Sequence, residues 1–131
     1  MATRGIRNNN PLNIRRGQKW VGLAPTQTDK SFDQFISMEY GIRAAFKLIK
    51  KYIEDYNCNT ITKIISKWAP SIENDTKNYI KFVAQKSGYS ADYLLTFSNK
   101  DAMTKIVSAM IQMENSEIVS MTTIEGAYNL V

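Results

Sequence analysis

The chain has 131 residues, of which 44% are hydrophobic and 22% charged, and it contains no histidine and one cysteine, Cys58. A chain of this length can form a core without metals or disulfides, and a lone cysteine excludes disulfide scaffolds and zinc modules. The lack of histidine excludes Ser-His-Asp and Cys-His nucleophile relays and the usual imidazole metal sites. We therefore expect no metal and no cofactor, and an enzyme of this composition would use carboxylates as its acid and base.

Basic residues outnumber acidic ones by 17 to 12, which gives a formal net charge of +5. This excess favours a polyanionic neighbour, which could be nucleic acid, an anionic membrane surface or an acidic cell-wall polymer. No apolar stretch follows the basic start of the chain, so we expect no secretory signal, and no run is long enough to predict a membrane span. We expect synthesis in the cytoplasm and exit by lysis, a holin, a virion or a secretion machine.

The first part of the chain is predicted to be irregular. Glycines, prolines and asparagines interrupt residues 4–37, which indicates a structured loop layer with a short hairpin around Trp20. A long amphipathic helix is predicted over 38–56, because Ile42, Phe46 and Ile49 recur at helical spacing.

Shorter helices are predicted to follow. Asn59 or Thr60 can cap a short helix that Pro70 ends, and a further helix runs over 73–86. A short helical turn is expected over 90–95, and Ser98 is predicted to open a helix over 99–115. The predicted fold is mainly α, a single domain over 1–131 with an irregular N-terminal layer.

Glu114 is the first candidate for a chemical role. It continues the stripe of Met103, Val107 and Met110 on the predicted helix 99–115, so it points in the same direction as core residues. A partly desolvated carboxylate has a raised pKa, as a general acid near neutral pH requires. The alternative is that the helix ends here and Glu114 extends into water.

Three segments resemble the lysozyme-like superfamily. Residues 109–116, Ala-Met-Ile-Gln-Met-Glu-Asn-Ser, resemble the apolar helix and Glu-Ser-Gly that carry the catalytic glutamate of lytic transglycosylases. Residues 68–83, with Pro70 and Tyr79, resemble a segment that lines the glycan cleft of these enzymes. Residues 9–15, Asn-Asn-Pro-Leu-Asn-Ile-Arg, followed by Trp-x-Gly and Gly-Ile-Arg-Ala, resemble parts of phage-associated lysozyme-like proteins and bacterial glucosaminidases.

The segments stand in a different order from that of the family, and a circular permutation would account for it. The resemblance implies a lysozyme-like domain and a phage-derived, peptidoglycan-cleaving glycosidase with Glu114 as general acid and base. A lytic transglycosylase resembling this chain needs this carboxylate alone, whereas a muramidase needs a second one. The candidates for a second carboxylate are Asp29, Asp33, Glu39 and Glu73.

Other residues permit both a functional and a structural interpretation. Glu73 is a candidate catalytic carboxylate in the cleft or an acid at the start of a helix. The predicted substrate-binding residues are Asn10, Asn13, Trp20 and Tyr79, whose alternatives include turn capping for the asparagines and core packing for Tyr79. Trp68 could stack on a sugar, but its place on an apolar stripe favours the core.

The predicted partners are peptidoglycan glycan strands and, for a virion-associated protein, other virion proteins. The alternative function is that of a lysozyme-like virion or secretion-apparatus component that binds glycan without cutting it. Charge alone supports nucleic-acid binding. Because no base-reading module is recognisable and the aromatic residues are not interleaved with basic ones, we expect no specific nucleic-acid partner.

Overall fold

The computed structural model describes residues 2–70 and 73–131, with side-chain surroundings described for residues 2–70 and 75–131. The predicted mainly α fold is confirmed. The helices in this part of the chain are α1 (Arg4–Arg7), α2 (Met38–Tyr56), α3 (Ile61–Trp68), α4 (Glu73–Ser87), α5 (Lys100–Asn115) and α6 (Met121–Asn129).

The predicted starts of α2 and α3 agree with the structure because local capping determines them. The Ser37 side chain accepts a hydrogen bond from the Tyr40 amide at the start of α2. Thr60 caps α3 in the same way by accepting from the Lys63 amide. Each cap satisfies one of the backbone N–H groups that the first turn of a helix leaves unpaired.

Two predictions about local structure are wrong, and one helix was not predicted. Asn99 rather than Ser98 caps α5, since the Asn99 side chain accepts from the Ala102 amide. Residues 90–95 form a turn instead of a helix, because the Leu95 amide donates to Asn59 O at 2.8 Å and this bond draws the chain across the start of α3. The prediction also omitted α6, a nine-residue helix with a glycine in its interior.

The N-terminal layer is irregular, as predicted, but the described residues form no regular hairpin around Trp20. Two isolated antiparallel bridges take its place, at Arg15–Phe32 and Leu23–Phe35. Asn10 holds the layer together, because its fully buried amide donates to Ile14 O at 3.0 Å and to Asp33 O at 2.8 Å. These side-chain bonds satisfy backbone groups that a sheet ladder would otherwise pair.

Helix α5 contacts both α4 and α6, while α2 packs on α6 and α3 packs on α4. Fully buried side chains of α2, α3 and α5 fill the centre, and the Tyr128 ring of α6 lies 5.4 Å from the Phe46 ring in a T-shaped pair. Close packing of this kind makes α5 a rigid support. In residues 2–70 and 73–131, no helix combines the length and the apolar character needed to cross a membrane.

Candidate functional site

Glu114 lies in the last turn of α5, at the edge of the buried core. Met103, Val107 and Met110, which precede it on the same helical stripe, are fully buried. Glu114 itself is partly exposed and lines a cavity. The side chain therefore lies where the core meets a space that a ligand can enter.

Three side chains from different parts of the fold donate hydrogen bonds to this carboxylate. The Tyr79 hydroxyl on α4 donates to Oε2 at 2.8 Å, and Trp68 Nε1 on α3 donates to the same oxygen at 3.3 Å. Asn13 Nδ2 in the N-terminal layer donates to Oε1 at 3.2 Å. Together the donors fix the direction of both carboxylate oxygens.

Burial and hydrogen bonding act on the acidity of Glu114 in opposite directions. Burial, the larger effect, raises the pKa of Glu114 because it disfavours the charged form, while the bonds from Tyr79, Asn13 and Trp68 oppose that rise. Burial, followed by the charge of Glu114, also raises the pKa of Tyr79, so its hydroxyl stays protonated and donates. The net result is a carboxyl group that keeps its proton to higher pH than an exposed glutamate does.

The backbone of the N-terminal layer brings Asn13 to Glu114. Asn13 has a left-handed backbone with φ of 54°, a conformation that asparagine tolerates better than most residues. The neighbour of Glu114, Asn115, is buried and donates to Pro11 O at 2.7 Å. The Thr3 hydroxyl donates to Asn115 Oδ1 at 2.5 Å. The end of α5 is thus tied directly to the loop that bears Asn13.

Three cavities are connected through shared or hydrogen-bonded lining residues, and we call them together the groove. The first, of about 320 Å³, is lined by Glu114 and Tyr79. The second, of about 390 Å³, is lined by Asn13 and Trp68, which donate to Glu114. The third, of about 670 Å³, shares with the second Gln18, Leu48 and Tyr52. Glu114 therefore lies between the first cavity and the donors that line the second.

The predicted site residues lie in different places. Asn13 and Tyr79 contact Glu114, whereas Trp20 lines the third cavity, with its Nε1 buried and without a hydrogen-bond partner among the described residues. Asn10 is fully buried, and its amide donates to backbone groups of its own layer; its role in substrate binding stays a prediction. The predicted carboxylate Glu73 begins α4, but its side chain lies outside the described surroundings.

Two residues near the carboxylate were not among the predicted site residues. Trp68 packs against the core, as predicted, and also donates to Glu114. Asp75 lines the same cavity as Glu114, whereas Asp29, Asp33 and Glu39 do not. Helical periodicity could have indicated Asp75. It stands four residues before Tyr79, and residues four apart share a helix face.

The arrangement is suited to proton transfer. Among the residues that the structure describes, no three carboxylate or thiol groups lie close enough together to hold a metal ion. What the site does provide is one proton-binding carboxyl group with fixed orientation, next to a cavity with a second carboxylate at Asp75. Such a group can donate a proton to a bound molecule and take one back.

The sequence matches no known protein-family profile. It is 42% identical over 118 residues to Protein P5 of Pseudoalteromonas phage PM2, and the matched region covers 87% of this chain and 72% of the phage protein. The relative is thus a phage protein, as the resemblance of the sequence implied. The chain belongs to the family of Protein P5 of Pseudoalteromonas phage PM2.

Proposed function

We propose that this chain is a phage peptidoglycan-cleaving glycosidase with a lysozyme-like fold, and that Glu114 is its general acid and base. One observation carries the proposal: a partly buried glutamate with a raised pKa lines a cavity while three donors orient it. Positioned acids of this kind accelerate proton transfer by typically 10²–10⁴-fold.

The convergence of the three family-like segments supports the same proposal. Asn13 belongs to the first segment, Trp68 and Tyr79 to the second, and Glu114 to the third, and all four meet in one hydrogen-bonded cluster. A circularly permuted enzyme would assemble its site from distant parts of the chain in this manner, because permutation changes the chain order and preserves the packing.

In the proposed reaction, protonated Glu114 donates its proton to the oxygen of the bond between N-acetylmuramic acid and N-acetylglucosamine. The bond between C1 and this oxygen then breaks and leaves an oxocarbenium-like C1. In the lytic transglycosylase, the muramyl 6-hydroxyl attacks C1 and returns its proton to the Glu114 carboxylate, which gives a 1,6-anhydro sugar. In the hydrolase, a second carboxylate takes a proton from a water molecule as the water oxygen bonds to C1. Asp75 shares the cavity with Glu114 and is a candidate for this base.

The three donors and burial favour different protonation states of Glu114. The bonds from Tyr79, Asn13 and Trp68 stabilise the carboxylate after it has released its proton, while burial favours the protonated state before the reaction. Burial and the donors therefore favour opposite protonation states of Glu114, and each of the two proton transfers starts from one of these states.

The test is mass spectrometry of soluble products after isolated peptidoglycan is incubated with the protein. Glu114→Gln removes the proton donor with little change of shape, and Glu117→Gln, three residues later at an exposed site, is the matched control. We expect products from the wild type and from the control, and a loss of at least about 100-fold in the Glu114→Gln variant.

The nature of the products separates the two reactions and the alternative. Anhydromuropeptides identify a lytic transglycosylase, whereas reducing ends identify a hydrolase. Full activity in Glu114→Gln would reject Glu114 as the acid. If wild-type protein sediments with cell-wall sacculi and releases nothing from several wall types, the proposal fails and a structural, glycan-binding virion component takes its place.

A further inference from the structure

The third cavity, at the far end of the groove from the Glu114 cavity, has an unusual charge pattern. Four lysines line it together with two acids: Lys47, Lys50, Lys51, Lys67, Glu54 and Asp55. The second cavity adds Arg15 and Arg16. This region therefore concentrates six cations and two anions on one wall of the molecule.

The four lysines of this cavity form no ion pair with the residues that the structure describes. Among the residues that the structure describes, the ion pairs are Arg4–Asp29 and Lys105–Asp101, and neither contains a lysine or an arginine of the groove. Lys67 Nζ instead lies 4.6 Å from the centre of the Tyr56 ring and 5.3 Å from that of Tyr52. The ammonium groups therefore remain available to an anionic ligand.

Tyr52 connects this basic end to the proton-transfer site. Its ring lines both the second and the third cavity, and it meets the Trp68 ring at a centre-to-centre distance of 6.0 Å. Trp68 in turn donates to Glu114. Tyr52 and Trp68 thus connect the basic cavity to Glu114 through one ring contact and one hydrogen bond.

We propose that the basic end of the groove binds the peptide stems of the glycan strand through their carboxylates. The proposal rests on the function given above and adds a determinant of substrate choice. The mixture of charges favours this ligand over a uniform polyphosphate, because Glu54 and Asp55 would repel a polyphosphate but can pair with the free amine of a diamino acid in a stem.

The test measures binding in a Glu114→Gln background, so that the ligand is not cut. Soluble peptidoglycan fragments with intact stems are compared with the same fragments after an amidase has removed the stems, and with a duplex DNA as polyphosphate probe. The groove variant combines Lys47→Gln, Lys51→Gln and Lys67→Gln. The matched control combines Lys30→Gln, Lys63→Gln and Lys81→Gln, which remove three exposed charges outside the groove.

We expect the groove variant to bind stem-bearing fragments about tenfold more weakly at low salt, as the loss of three exposed charge contacts would give. The control variant should bind stem-bearing fragments as tightly as the Glu114→Gln protein does. For stem-free fragments, the groove variant and the control variant should have equal affinities. Circular dichroism of each variant verifies the fold.

Two results would overturn the inference. One is equal binding of stem-bearing and stem-free fragments by the unmodified background; the other is a groove variant that loses DNA binding and keeps its affinity for stems. Neither depends on cleavage. A protein that binds stems through the groove yet never cuts peptidoglycan would reject the proposed glycosidase and leave the binding site standing.

Discussion

The side-chain amide of Asn13 lies 3.2 Å from Oε1 of Glu114, although 101 residues separate the two along the chain. The contact joins the N-terminal layer to the last turn of α5. Two further hydrogen bonds hold the same layer at the end of α5: Asn115 donates to Pro11 O and accepts from the Thr3 hydroxyl. The orientation of the carboxyl group therefore depends on the packing of a loop layer as well as on its own helix.

Tyr79→Phe should move the pH profile of the reaction upward. The hydroxyl donates to the carboxylate and so opposes the rise in the pKa of Glu114 that burial causes. Its removal raises that pKa further, and the general acid stays protonated to higher pH. The alkaline limb of kcat/KM should shift to higher pH, while Tyr93→Phe, at an exposed tyrosine, leaves it in place. A shift to lower pH would show that the bond does not stabilise the carboxylate.

Glu114→Gln should make the protein more stable at neutral pH. The folded state holds a proton on Glu114 more tightly than the unfolded state does, so the free energy of unfolding falls as pH rises from the ordinary glutamate value of 4.5 through the raised pKa. Glutamine carries no charge and avoids this loss. We expect a melting temperature a few degrees above that of the wild type at pH 7, and a difference that shrinks below pH 4.5.

The control for this experiment is Glu117→Gln, whose side chain is exposed. It should leave the melting temperature nearly unchanged at both pH values, since exposed charges contribute little to stability. A Glu114→Gln protein that is less stable than the wild type at pH 7 would mean that the three hydrogen bonds outweigh the cost of burying the charge.

Gly41→Ala should destabilise the fold strongly. A Cβ at this position of α2 would lie 1.7 Å from Asn9 O, so either the helix or the N-terminal layer has to move. We expect a loss of about 3 kcal/mol in the free energy of unfolding, measured by urea denaturation. Gly126→Ala is the matched control, because the nearest atom to its Cβ is Glu39 Cγ at 4.0 Å; there we expect a gain of about 0.5–1 kcal/mol.

Ser116→Gly should stabilise the protein. Ser116 ends α5 with a left-handed φ of 54°, which is the conformation that glycine adopts without steric cost. We expect a gain of about 0.5–1 kcal/mol in the free energy of unfolding. Ser120→Gly, at a position with φ of −51°, should give no gain.

Local rules were sufficient for most of the helical structure. Ser37 and Thr60 cap α2 and α3 by bonds within three residues, and such bonds can be inferred from sequence. Local rules failed for α6 and for residues 90–95. There, packing on α2 and a backbone bond from Leu95 to Asn59 decide the conformation, and both involve distant partners.

The sequence by itself determined that Glu114 continues the apolar stripe of Met103, Val107 and Met110, because these positions have the period of a helix. Only the tertiary structure decided what surrounds the carboxyl group. Its donors Tyr79, Trp68 and Asn13 lie 35, 46 and 101 residues away. Periodicity describes one helix at a time, whereas a hydrogen-bonded site depends on distances between elements, which are set when the whole core packs.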